Sequence, residues 1–221
     1  MIDQLTIGSI ASYDDFEASV KERTIGAPKK KTIKETVPFS NETHDFSAIN
    51  GEIYWEERPL KYVFEIMANT PEELEEKKQP FLSWVMNATD EEIHDPFITD
   101  YHFKGTFDDI DINDSEIEKS TITVTFKAYP YMISDTKQMG MFTLTETETV
   151  INITNNSSHR ITPTFTSDVE YMVIKGSSSY ALPAGELTSA VFMLAPGMNT
   201  LKIRSTGESG TLQIEFYEEV F

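Results

Sequence analysis

The chain has 221 residues, no cysteine, and 37 acidic against 18 basic side chains, giving a formal charge of −19. That length can bury a sizeable core, as one large β domain or two small ones, but cannot rely on disulfides to do so. The charge argues against a nucleic-acid reader, because binding to phosphate needs Lys and Arg to displace condensed counterions, and no apolar run approaches the length of a bilayer span.

The opening residues, MIDQLTIGSIASYDDFEAS, carry acid where a signal peptide carries a basic end, and no continuous apolar stretch comes after them. The expected product is made and kept in the cytoplasm, or leaves by cell lysis. The first distinctive feature is the only basic run, Lys29, Lys30 and Lys31, followed by Lys34. Gly26 and Pro28 just before it suggest an extended arm rather than packed structure.

Strands dominate the rest of the first half of the chain. Leu60, Tyr62, Phe64 and Ile66 alternate with Lys61, Val63, Glu65 and Met67, as a half-buried strand requires. One helix is convincing: Thr70 can cap it, Pro71 suits its first turn, and Glu73 can reach back as in a capping box. An interior proline loses a hydrogen bond and clashes one turn back. Pro80 therefore predicts two short pieces, Pro71 to Lys78 and Phe81 to Met86, with Leu74, Phe81, Trp84 and Val85 packed on the sheet. Tyr101, Phe103 and Phe107 mark the next strand, and TITVTFKAYPYMIS, from Thr121 to Ser134, another that stops at Pro130.

Beyond Tyr129 the texture changes. The segment MISDTKQMG shows little periodicity and predicts a linker between separate cores, residues 1–133 and 134–221, although the last strand around Phe216 could return to the first. The later strands carry Phe142 and Leu144, then Leu201 and Ile203, then Leu212, Ile214 and Phe216, with turns at Asn155, Gly176, Gly185, Pro196-Gly197 and Gly207. Short strands separated by turns imply a sandwich. The acid is concentrated early: up to Ile133 there are 27 acidic and 13 basic residues, and after it 10 and 5.

The search for chemistry finds little. DDIDINDSEIEKS places Asp109, Asp111 and Asn113 like calcium ligands, but Asp114 replaces the turn glycine and Ser120 the bidentate glutamate, so an acidic strand and turn is the better reading. His94, Asp95, Asp100 and His102 cluster, and histidine with carboxylate can hold zinc or iron. Their spacing matches no ligand motif, and they read as surface or packing residues. There is no Gly-x-Ser-x-Gly elbow and no phosphate-cradling glycine loop. Tyr54, Trp55, Tyr62, Phe64 and Trp84 could stack on a sugar but in a small sandwich are more often core. The residues indicate no catalytic group, no cofactor and no metal.

The order of motifs nevertheless resembles the distal tail protein (Dit) family of long, non-contractile-tailed bacteriophages and related prophages. SYDDFEASV is similar to that family's opening segment, and HDFSAINGEIYWEERPLKYVFEI to its signature of aspartate, a glycine-preceded strand, an arginine and an aromatic strand. ITVTFKAYPYMIS is similar to the strand and proline-tyrosine step that closes the family's ring-forming domain. INITNNSSHRITPTF and LAPGMNTLKI resemble its asparagine turn and its proline-glycine-x-asparagine approach to a late strand.

The resemblance implies a mainly β protein of two β-sandwich domains. The first, residues 1–133, would carry the short helical segment and form the ring, a hexamer; the second, 134–221, would be galectin-like and lie outside it. It further implies a non-enzymatic hub of the virion tail, assembled in the bacterial host cytoplasm, that joins the tail tube protein to the tail-tip protein and baseplate and can support receptor-binding proteins. The long insertions that carry carbohydrate-binding modules in some relatives are missing, yet a carbohydrate-binding module is the alternative reading. In a head-to-tail ring each subunit offers two different patches. Lys29, Lys30, Lys31 and Lys34 could supply a basic one against a neighbour's acid, or could simply be solvated.

Overall fold

The computed structural model describes residues 3–36, 39, 43–48, 51–114 and 116–221. Ile49 and Asn50 of the HDFSAINGEIYW stretch and Ser115 of the acidic stretch lie outside the described residues. The chain divides into two compact units, Met1–Met132 and Ile133–Phe221, and is mainly β in both.

The first unit contains, in chain order, β1 (Thr6–Ile7), β2 (Ile10–Ala11), the short helix α1 (Ser12–Phe16), β3 (Ser19–Ile25), β4 (Lys34–Thr36), β5 (Thr43–Asp45), β6 (Arg58–Met67), the helix α2 (Pro71–Met86), β7 (Glu91–His94), β8 (Tyr101–Asn113) and β9 (Lys119–Ala128). Seven of these strands pair antiparallel in the order β3-β6-β9-β8-β7-β1-β2. Strict alternation in β6 turns Leu60, Tyr62, Phe64 and Ile66 inward, opposite Phe126, Val124, Ile122 and Ser120 of β9. All four β6 side chains are fully buried. Burial of side chains of this size contributes about 1.5–3 kcal/mol each, so this strand pair is the centre of the fold.

Helix α2 covers that face, burying Leu74, Phe81 and Val85 with Trp84 partly covered. The Phe81 ring meets Phe64 edge-on with centroids 5.0 Å apart, and Phe16 of α1 lies 5.1 Å from Trp84. The helix starts as its sequence requires, with Thr70 Oγ1 accepting from the Glu73 amide at 3.2 Å. The Glu73 carboxylate accepts from the amide of Asn69, one residue before the cap, at 2.9 Å. The expected break at Pro80 is absent: α2 is one continuous helix of 16 residues. Pro80 sits on its exposed side, where the lost backbone bond opens to water, while Leu74, Phe81 and Val85 hold both halves on one apolar face.

The second unit contains β10 (Met132–Leu144), β11 (Thr149–Asn155), β12 (Thr164–Ser167), β13 (Tyr171–Lys175), β14 (Ser178–Leu182), β15 (Gly185–Thr188), a 3-10 turn at Ala190–Phe192, β16 (Gly197–Ser205) and β17 (Gly210–Val220). Two four-stranded layers, β15-β12-β17-β10 and β11-β16-β13-β14, enclose a core of Phe165, Tyr171, Val173, Phe192, Leu201, Ile203, Leu212 and Ile214. Two expectations need correction here. MISDTKQMG is not a linker but most of β10; from Gln138 its inward positions are Gln138, Gly140, Phe142 and Leu144, and a polar side chain and a glycine on the inner face hide the alternation. The last strand does not return to the first unit: β17 pairs with β12, and Phe216 joins the second core.

The two turn motifs of this unit have clear physical roles. Asn155 is buried, donates to the carbonyls of Leu194 (2.9 Å) and His159 (3.1 Å), and accepts from the Ser157 amide (2.9 Å). Asn199 accepts from the Ala195 amide and donates back to its carbonyl, both at 2.8 Å. It thereby closes the turn in which Gly197 takes φ +90, a conformation that favours glycine.

Candidate functional site

Between β3 and β6 the first unit sends out an excursion whose described residues add no hydrophobic side chain to its core. Among the described residues from Gly26 to Glu57, only Ser47 is buried. The excursion is held by backbone bonds: Lys31 donates to Tyr54 and Glu56 to Lys29, while β4 and β5 pair antiparallel. Lys29, Lys30, Lys31 and Lys34 all lie on it, and all are exposed. Asp45 within the same excursion has its pKa lowered, first by hydrogen bonds from Ser47 and then by the charges of Lys30 and Lys34. Part of the basic charge is thus answered locally. Tyr54, expected in the core, is half exposed on this excursion, whereas Tyr62 and Phe64 are fully buried.

The root of the excursion is tightly fixed. A Cβ on Gly26 would fall 2.5 Å from Cγ of Pro59, so only glycine fits. Arg58 is buried, donates through Nε to the Gly26 carbonyl at 2.9 Å and through a terminal nitrogen to the Pro130 carbonyl at 3.3 Å, and lies over the Phe103 ring. One side chain therefore clamps the start of the excursion to the point where the β9 strand ends.

The acidic and histidine-rich stretches resolve into structural parts. Asp109, Asp111 and Asn113 are exposed strand residues of β8. The residues that spoil the calcium pattern are themselves paired: Ser120 donates to Asp114 at 2.6 Å, and Asp114 accepts from the buried Lys78 of α2 at 2.7 Å. Asp95 is almost fully buried and accepts from Tyr62 (2.9 Å), from the Phe97 amide (2.9 Å) and from Arg23, whose guanidinium also lies over Phe97. Burial, then the Asp95 charge, pushes the Tyr62 hydroxyl well above the usual tyrosine range. Asp95 is thus a core anchor. His94 and His102 do come together, with ring centroids 5.1 Å apart, and among the described residues the carboxylate that groups with them is Glu92 rather than Asp95 or Asp100. Sequence reasoning passes over Glu92 because its signal, a Glu-x-His spacing, places two side chains on one face only if the segment is a strand.

In the second unit a shallow cleft is bordered by Gly140, Phe142, Asn152, Thr154 and Phe216. Phe216 is buried and Phe142 only partly exposed, so the cleft offers no open ring for a sugar to stack on.

No family model and no curated protein matches the sequence. Solved structures do match in three dimensions. The protein of the crystal structure titled "SPP1 Dit (gp 19.1) Protein, a Paradigm of Hub Adsorption Apparatus in Gram-positive Infecting Phages" aligns with a TM-score of 0.67 and 14% identity, over 98% of this chain and 99% of that one. A chain of the phage P2 baseplate in its activated conformation with Ca aligns over 97% of this chain and 98% of its own, with a TM-score of 0.41 and 9% identity. The chain thus has the β-sandwich fold of the SPP1 Dit protein along nearly its whole length.

Proposed function

We propose that this protein is the structural hub of a phage tail tip, a ring that joins the tail tube to the tail-tip or baseplate components and to receptor-binding proteins. The observation that carries this reading is the fold likeness to the SPP1 hub protein, which spans both compact units and leaves almost no residue of either chain unmatched. On this reading residues 1–133 form the ring-building domain and 134–221 the galectin-like outer domain. Function then resides in surfaces rather than in a reactive group, consistent with a sequence that has no cysteine and no nucleophile elbow.

The excursion that carries Lys29, Lys30, Lys31 and Lys34 is our candidate for one side of the subunit interface. Its length, the exposure of most of its described residues and its rigid root at Gly26 suit a segment whose partner surface lies on another subunit. The acidic surface of the same unit offers the complementary charge and would also keep passing DNA from adhering. Negative-stain microscopy of the purified protein, with sedimentation at matched concentration, tests the proposal. A ring with a central hole is the expected result. A protein that stays monomeric at every concentration, with no ring in the presence of the tail tube protein, would remove the hub reading.

A further inference from the structure

We infer that Glu92, His94 and His102 form a binding site for a divalent transition-metal ion, zinc in the first place. Strands β7 and β8 pair antiparallel with Glu92 opposite Lys104 and Ile93 opposite Phe103. Ile93 and Phe103 point into the core. The alternation of a strand therefore places Glu92, His94 and His102 together on the other face of the sheet.

The donor atoms already converge. Glu92 oxygens lie 3.7 Å from His94 Nε2 and 3.9 Å from His102 Nε2, and one donor atom from each of the three residues can be chosen so that all lie within 4.8 Å of one another. Around a tetrahedral zinc with bonds near 2.0–2.1 Å, neighbouring donors sit about 3.3 Å apart. The required contraction is within reach of Glu92, an exposed side chain with rotamers to spare. His102 is buried and His94 half-buried, so the two imidazoles form the fixed wall and the carboxylate the movable one.

The donor set decides which ion fits. Two imidazoles and one carboxylate suit zinc and its first-row neighbours, whereas calcium and magnesium prefer all-oxygen shells. Lys104, directly across from Glu92, is drawn to Asp90 at 3.0 Å. The site spans two strands, so a bound ion would tie β7 to β8 beside the short strand β1, which pairs with His94 through Thr6.

The test uses the full chain, free of any affinity tag and stripped with chelator, titrated with Zn²⁺ by calorimetry and with Co²⁺ by its visible d–d absorption. The parent should bind one ion per chain, give the absorption of a tetrahedral nitrogen-oxygen site, and unfold at a higher temperature with Zn²⁺ present. His94→Ala and Glu92→Gln, both at solvent-accessible positions, should each weaken binding by at least about tenfold, since even groups that only support a ligand have effects of that size. His159→Ala, in the other unit, should leave it unchanged. Absence of binding up to about 1 mM Zn²⁺, where any association is weaker than about 4 kcal/mol, would overturn the site. So would equal affinity in the parent and in both variants, which would mark the three residues as an ordinary histidine–carboxylate contact.

Discussion

The Nε of Arg58 donates to the carbonyl of Gly26 at 2.9 Å, joining the first residue of a long excursion to the strand at its far end. The same guanidinium reaches the Pro130 carbonyl, so one planar group holds two chain segments that are far apart in sequence. A lysine ammonium is a point donor and cannot span both.

Arg58→Lys is accordingly not conservative. Orphaning a buried carbonyl costs about 1–3 kcal/mol, and that loss is the expected fall in stability by urea denaturation. The excursion should loosen as well: the Lys31 amide, bonded to Tyr54, should exchange its hydrogen faster in the variant. Unchanged stability and unchanged exchange would show that the clamp is redundant.

The helix supplies opposed expectations from one element. Thr70→Ala removes the cap on the Glu73 amide and should cost about 1 kcal/mol. Pro80→Ala restores a backbone donor in the middle of α2 and removes the ring's clash with the preceding turn. It should stabilise by up to about 3 kcal/mol. Thermal unfolding of both variants checks the pair, and a destabilised Pro80→Ala would mean that the helix needs the bend a proline imposes.

These elements also show how much is legible in the sequence. The strands around Tyr62 and Val124 and the capped start of α2 can be read because their alternation and spacing track one buried face. The continuity of α2 through Pro80 cannot, since it depends on an apolar face held by β6 and β9, a tertiary gain that outweighs a local cost. Strand β10 reads as a linker because Gln138 and Gly140 occupy inward positions. At the candidate sites, Gly26 and Pro28 already imply the exposure of the lysines. Glu92 joins His94 only because that segment is a strand, and His102 reaches them only through the pairing of β7 with β8, while the burial of Asp95 depends on Tyr62 and Arg23, remote in sequence.

Tyr171 carries an expectation about pH. Its ring is fully buried in the second core, and among the described residues its hydroxyl has no hydrogen-bond partner. Burial pushes its pKa up to about 12. The folded state thus resists ionisation more than the unfolded chain, whose tyrosines titrate near 10. The corresponding stability is fully present below about pH 10 and is lost as pH rises from there toward about 12, roughly 2–3 kcal/mol in all. Tyr171→Phe removes both the unsatisfied hydroxyl and this titration. It should be neutral or stabilising by about 1 kcal/mol at pH 7, and its advantage over the parent should grow between pH 10 and 12. A variant less stable than the parent at pH 7 would mean that the hydroxyl has a partner, such as an ordered water.

Ring assembly gives the last expectation. With 27 acidic and 13 basic residues up to Ile133, copies of this unit in contact repel, and a basic excursion laid on a neighbour's acidic surface would offset part of that repulsion. A single exposed ion pair contributes only about 0–1 kcal/mol, but several repeated around a closed ring add up, and all weaken as salt screens them. Assembly measured by sedimentation should therefore decline from low to moderate salt. Changing Lys29, Lys30, Lys31 and Lys34 to glutamate should abolish it at low salt, because on the proposed reading the excursion would then add to the repulsion instead of offsetting it. The variant should fold normally, since all four side chains are exposed and none contributes to the core. Were it to form rings as readily as the parent, the contact between subunits would have to rest on apolar residues such as Met67, Met86 or Phe97, which lie exposed on the same unit.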